Sequence, residues 1–273
     1  GYMRKATKEA KTHTSWINDH QAYDQAVAQF VERVLTGPNA ERFLLAFVPL
    51  ARRIARLGAV NSLGQVVLKL VAPGAPDVYQ GTELWDLSLV DPDNRRPVDY
   101  TLRQRLLDDL TPYMVGVEGR LAGRAKTDVL ETGTMRALLS DWPDGRIKLL
   151  VTALGLRFRR RCPELLLTGA YLPLAGEGDR AAHVVCFARR HAAQCALAIV
   201  PRLVAGLGLT EESWPLGTPT WGSTAIALPE DLPSSWHNLF TGETVRTTIV
   251  AGRRAIRVAE ALRSCPVALL SSG

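Results

Sequence analysis

The apolar residues of this chain change period once, at Cys162-Pro163, and that change divides what the chain can fold into. Ahead of it, apolar positions recur at helical spacing. Ala22, Ala26, Val27, Phe30, Val31 and Val34 predict a helix with one buried face, capped by Asn18 or Asp19 and stopped at Thr36-Gly37-Pro38. A second helix is expected over 40–57, kinked at Pro49, and a third, wholly buried, over 62–70. Asp99 should cap a helix through Leu110, with Leu102, Leu106 and Leu110 on one face. Residues 117–140 are weakly patterned, and Asp144-Gly145 opens a stronger helix that Cys162-Pro163 closes.

Beyond Pro163 the pattern alternates. Strands are expected over 170–174, 183–188, 196–200, 223–227, 236–239, 255–258 and 267–270. Asn238 to Glu243 reads as a tight hairpin turn with Gly242 at positive φ. The chain should therefore hold a helical part over 1–162 and an antiparallel β-sandwich over 163–273.

Between the helices lies the stretch from Gly74 to Tyr100, densest in site-type residues. A short apolar strand is expected over 75–79, running through Gln80-Gly81 into a loop with Glu83, Asp86, Asp91, Asp93, Arg95, Arg96 and Asp99. Helix, tight turn, buried strand and polar loop is the rhythm of the last units of a (β/α) barrel, although one strand does not tell a barrel from an open sheet.

Composition narrows the function. Hydrophobic residues make up 47% of the 273, enough for a sizeable core. The net charge of +6 comes from arginine scattered along the chain, with one dense cluster from Arg157 to Arg161 at a helix end, where the dipole favours cations. A nucleic-acid module needs a basic stripe interleaved with aromatics, and only Phe158 interrupts the cluster. Cys162, Cys186, Cys195 and Cys265 lack both zinc-site spacing and disulfide density, so reduced thiols and a cytoplasmic setting are expected. No apolar run is long enough to span a membrane, and no signal peptide is visible. The opening Gly-Tyr-Met, followed at once by helix-prone sequence, reads like a piece of something longer.

Gly74-x-Pro76-x-x-Tyr79-x-Gly81-x-Glu83 resembles the eighth-strand motif of the α-amylase family of glycoside hydrolases and transglycosidases. Asp91-Pro-Asp-Asn-Arg95-Arg-Pro-Val-Asp-Tyr100 is similar to that family's loop for glucose units in the donor subsites. The likeness runs on through Lys5 to Trp16, Asn61 to Gly64, Arg146 to Leu149, Pro163-Glu-Leu, His183 to Arg189 and Asn238 to Gly242. It implies the last helices and eighth strand of a (β/α)8 barrel followed by the β-sandwich. The implied reaction turns the reducing-end α-1,4 bond of a malto-oligosaccharide into an α,α-1,1 bond by the retaining route, with no cofactor or metal. The family's three catalytic carboxylates stand in Gly-x-Arg-x-Asp, Glu and His-Asp motifs on strands four, five and seven. Here only the reversed Asp19-His20 occurs, so those groups are expected in a preceding part of the same enzyme, and this chain alone should be inactive.

For the substrate wall the resemblance implies Tyr79, Glu83, Trp85, Asp91 and Arg95. Asp91 and Arg95 either grip vicinal sugar hydroxyls from two sides or pair with each other. Glu83 and Asp86, three residues apart on one loop, are poorly placed as a catalytic acid pair and better suited to holding the loop by hydrogen bonds. Trp85 and Trp16 can stack on a sugar or simply pack. His13-Thr-Ser reads as a turn, and Lys8 and Lys11 are left open between solvent and an acceptor site. The rival reading is a stand-alone α-glucan-binding module.

Overall fold

A computed structural model describes residues 1–91, 93–123 and 129–272, with the side chains of 129–132 outside the description. The chain divides into two compact units, Gly1–Arg56 and Leu57–Gly273.

The first unit contains α1 (Tyr2–Ala10), α2 (Gln21–Thr36) and the first part of α3 (Ala40–Val71). Its centre is polar. The ammonium of Lys8, only 2% exposed, ion-pairs with Asp19 and with Asp24 at 2.7 Å and donates to the Thr14 hydroxyl at 3.3 Å. That pairing overturns the expected cap: Asp19 spends its carboxylate on Lys8, and the N-cap of α2 is His20, with no side-chain cap bond. The Asp19 hydrogen bond, then the one to Asp24, raises the Lys8 pKa, and Lys8 in turn lowers that of Asp19. The expected buried face of α2 is also absent, since none of its residues is buried. Helical spacing gathers apolar side chains on one side, but burial requires a neighbour over them. The two helices expected over 40–57 and 62–70 are one, because α3 runs through both Pro49 and Gly58.

The second unit begins within α3 and adds α4 (Tyr100–Leu121), α5 (Val129–Ser140), α6 (Arg146–Arg161) and α7 (Pro163–Leu167). There follow β1 (Ala170–Leu174), β2 (Gly176–Glu177), β3 (Val184–His191), β4 (Gln194–Pro201), the short α8 (Gly217–Trp221), β5 (Ala225–Ala227), β6 (Ser235–Asn238), β7 (Thr244–Arg246), β8 (Thr248–Val250), β9 (Arg253–Arg257), α9 (Val258–Ala261) and β10 (Ala268–Ser271). Asp99 caps α4, its carboxylate accepting from the Leu102 amide at 2.8 Å. Part of the weakly patterned region, residues 124–128, lies outside the described residues; α5 forms the rest of it.

All strand pairs are antiparallel, in a six-stranded sheet ordered β1-β3-β4-β10-β6-β7 and a four-stranded sheet ordered β2-β5-β9-β8. Side chains alternate across a strand, and the central strands β3, β4 and β10 of the larger sheet are buried on both faces. Phe187, Ala196, Ala198, Val200 and Leu269 join a core with Leu63, Val67 and Leu70 of α3, Met114 and Val117 of α4, and Leu150 and Leu154 of α6. Cys186, Ala188, Leu197, Ile199 and Leu270 join a second core with Ile226 and Ile256 of the smaller sheet and the fully buried Trp221 and Trp236. The β6–β7 turn is as expected: Gly242 has φ 69°, and its amide donates to the Asn238 carbonyl at 2.7 Å. All four cysteines are free.

The strand expected over 75–79 does not form. Residues 75–79 join no ladder, because a strand exists only beside a partner and every described strand lies at 170 or beyond. The segment is tied down by donors instead, Lys69 reaching the Asp77 carbonyl at 3.0 Å and Arg159 the Gly74 carbonyl at 2.7 Å. The described residues contain helices and antiparallel sheets and no closed barrel.

Candidate functional site: a loop cleft between α3 and α4

The polar loop is held at both ends by one guanidinium. Arg103, in the first turns of α4, donates to the Gly81 carbonyl at 2.7 Å, to the Asp99 carbonyl at 3.1 Å and to Glu83 at 3.0 Å. At Gly81 the chain turns with φ 90°, against Val98. Glu83 is thus a loop anchor, in line with its expected hydrogen-bonding role.

Inside this frame lies an open cleft of about 240 Å³, walled by Trp85 and lined with Gln80, Asp86, Asn94, Arg96 and Arg103 among others. Asp86 accepts from the Ser88 amide at 2.9 Å. A side-chain hydrogen bond from Ser88, then that amide bond, aided by Lys148 and Arg103, holds its carboxyl below the usual range, so it is ionised at neutral pH. The side-chain oxygen of Asn94 is buried with no hydrogen-bond partner among the described residues. A guanidinium, an ionised carboxylate, an unpaired amide oxygen and an indole wall are the groups that hold a polyol with one apolar face.

Of the five expected substrate residues, Trp85 alone lines the cleft. Asp91 and Arg95 pair with each other at 2.5 Å on the exposed rim. Tyr79 lies outside it, 42% exposed, its carbonyl accepting from the Thr82 hydroxyl at 2.7 Å. Trp16, in the first unit, is exposed and donates to Glu9 at 2.8 Å.

Several groups that shape the cleft went unnoticed in the sequence. The Trp85 indole N–H donates to the Trp142 carbonyl at 2.6 Å, and the two rings meet edge to face, 5.9 Å apart. Lys148, buried in α6, donates to the Leu84 carbonyl at 2.9 Å and stands 5.6 Å from the Trp85 ring centre. Burial lowers its pKa, as does Lys69, while Asp86 and Glu83 oppose the shift. These groups come from positions 57 and 64 residues away, and although Lys148 falls within the Arg146–Leu149 likeness, nothing local ties either group to Trp85. Arg96 was among the loop's charged candidates, whereas the neutral amide of Asn94 gave no signal of its own.

Compared with known proteins, the chain is similar to one part of synthases much longer than itself. These are maltooligosyltrehalose synthases, and by sequence and fold the chain is a relative of them. A maltooligosyl trehalose synthase of Mycobacterium tuberculosis (strain H37Rv) is 35% identical over 243 residues, 89% of this chain and 25% of that protein. The structure of maltooligosyltrehalose synthase from Arthrobacter ramosus superposes with a TM-score of 0.69 at 34% identity, covering 98% of this chain and 29% of that one. Another maltooligosyl trehalose synthase crystal structure gives 0.65 at 26% identity. The chain spans about a quarter of the length of the curated relatives it matches. No protein-family model matches the chain.

Proposed function

We propose that this chain is the C-terminal part of an enzyme that rearranges the reducing-end α-1,4 bond of malto-oligosaccharides to an α,α-1,1 bond, forming a maltooligosyl trehalose. In this reading α3, α4 and the segment 75–79 close the end of a (β/α)8 barrel, and the two sheets form the β-sandwich behind it. The catalytic carboxylates come from the preceding part of the same protein, which works in the cytoplasm and without a cofactor. There one carboxylate attacks the anomeric carbon while a second protonates the departing oxygen, and the freed glucose turns and returns through its own anomeric hydroxyl. The cleft at Trp85 grips the glucan and breaks no bond. Asp91 and Arg95 exchange their mutual pair for sugar hydroxyls at its rim, with Tyr79 and Glu83 behind.

The observation that carries this reading is the 34% identity with the Arthrobacter ramosus synthase across 98% of the chain. The test is maltopentaose conversion by the protein expressed from its complete reading frame and by this chain alone. The complete protein should remove reducing ends without shortening the glucan, and the chain alone should do nothing. Reducing ends that only rise would replace rearrangement by hydrolysis. Turnover by the chain alone would overturn the division of labour. The unpaired Asn94 oxygen beside an indole wall, all within this chain, favours the rival reading of a glucan-binding module. Micromolar binding of maltopentaose to the isolated chain by titration calorimetry, with no turnover by the complete protein, would select it.

A further inference from the structure

Three indoles run in line from the cleft to the β-region. Trp85 walls the cleft and meets Trp142 edge to face; Trp142 meets Trp214 edge to face, with centres 6.3 Å apart and planes at 82°. Two of the three indole N–H groups are tied to backbone: Trp85 donates to the Trp142 carbonyl and Trp214 to the Leu139 carbonyl at 3.0 Å. Trp214 is itself anchored. The next residue, Pro215, accepts at 2.8 Å from the indole of Trp221, which is fully buried in the core shared by the two sheets. On the opposite side Lys148 fixes the Leu84 carbonyl, one residue before Trp85, and places its ammonium over the Trp85 ring. A Cβ at Gly145 would stand 3.1 Å from Leu84 Cβ, so the turn after Trp142 lies directly against this part of the loop.

We propose that Trp214 and Lys148 are positioning residues for the sugar-facing ring of Trp85, Trp214 acting through Trp142 and Lys148 acting on the Leu84 backbone and the ring itself. The β-region thereby sets the geometry of a glucan subsite to which it contributes no contacting side chain. An indole stacks on a sugar only if its plane is held, and a platform on a loop needs external bracing to hold it. Edge-to-face pairs supply that bracing at a specific angle, which a purely aliphatic contact does not. The inference rests on the reading of the cleft as a sugar site.

Two measurements on the complete protein separate the inference from that reading. The protein is labelled with 5-fluorotryptophan, and the Trp85 ¹⁹F resonance, assigned by Trp85→Phe, is followed in Trp214→Ala, Trp214→Phe and Lys148→Met. KM and kcat for maltopentaose are measured on the same variants. Trp214→Ala should displace and broaden the Trp85 resonance and raise KM about tenfold with kcat changed less than about twofold. Trp214→Phe, which keeps an aromatic edge, should restore most of both, and Lys148→Met should displace the resonance in its own right. A folded Trp214→Ala protein with the parent's Trp85 resonance and KM would overturn the proposal. If that variant does not fold, Lys148→Met with an unmoved resonance and unchanged KM does the same. A Trp85 resonance that moves in the variants while the parent neither converts nor binds maltopentaose would uphold the positioning and sink the sugar reading alone.

Discussion

Arg189 sits in β3 with 1% of its surface exposed, and its guanidinium serves two backbone carbonyls, Val71 at 2.9 Å and Gly169 at 2.8 Å. The last carbonyls of a helix have no partner within it, and α3 ends at Val71. Arg159 completes the arrangement from α6, donating to the Leu70 carbonyl at 2.8 Å and to Gly74. Two cations on a helix C-terminus also suit its dipole. The cost is burial, which lowers the Arg189 pKa, with Arg159 adding to it. The arginine cluster that was explained by the helix dipole is thus also, through Arg159, a clamp on the start of the site loop. Arg189→Met keeps the stem and removes the head, leaving two interior carbonyls unpaired. At roughly 1–3 kcal/mol for each of the two orphaned groups, it should cost about 2–6 kcal/mol and lower the melting temperature by several degrees. Arg189→Lys, a single point donor, should recover only part. A Met variant melting within about one degree of the parent would mean that water satisfies both carbonyls.

Elements show where local patterns suffice. The pattern after Pro163 gives β1 at its observed limits, and the strand cores of β3, β4, β6, β9 and β10 lie within a few residues of theirs, because short apolar segments there are bounded by Gly, Pro and polar turns. The two-residue β2 and the three-residue β7 and β8 carry too few positions to show a period. Asp99 was legible as a cap because capping is local, whereas Asp19 was claimed by Lys8 from eleven residues away. In the cleft, Trp85 could be named from sequence, but its supports Trp142, Lys148 and Arg103 arrive through tertiary contact. The turn that carries Trp142 offers a direct test. Gly145 has φ 81°, and a Cβ there would crowd Leu84 at 3.1 Å, so Gly145→Ala should destabilise by about 1–2 kcal/mol and shift the Trp85 resonance. An unshifted resonance would separate the turn from the cleft. The α1–α2 connection gives a pH prediction. The Asp19 pKa is lowered, so its contribution is present above the ordinary carboxylate value and lost as pH falls through the folded one. Lys8 is raised, so its contribution holds below the ordinary lysine value and is lost as pH rises through the folded one. Stability of the first unit, read from a fluorotryptophan signal at Trp16 in urea, should therefore form a plateau that falls in acid and in strong alkali. Lys8→Met should flatten both arms, and a parent profile that persists in that variant would assign the pH dependence elsewhere.

At the scale of the molecule the two units differ in how their apolar surface is used. In Leu57–Gly273 the helical residues Val60, Leu63, Val66, Val67, Leu70 and Val71 of α3 are buried in the two cores. In Gly1–Arg56 the same helix leaves Phe43, Leu45, Phe47, Leu50 and Ile54 exposed, and Phe30 of α2 is 67% exposed. The sheets thus bury most of the stretch 62–70 that was expected to be buried, whereas the first half of the apolar stretch is left largely exposed. Side chains of this size lose about 1.5–3 kcal/mol each by remaining in water, so the first unit has little to hold it beyond the Lys8 centre and its own helical hydrogen bonds. The isolated chain should then bind a hydrophobic dye and melt in two steps. The first step should remove helical signal and the Trp16 environment at modest temperature, and the second, cooperative step should belong to Leu57–Gly273. Leu45→Glu and Ile54→Lys should abolish most of the dye signal and leave the second step unmoved, since neither side chain enters a core. In the complete protein the proposed preceding part should cover these positions, so the same substitutions there should lower stability instead of being silent. A chain that binds no dye and unfolds in one sharp transition would show that these side chains are already covered, and would remove the physical ground for expecting a partner over them.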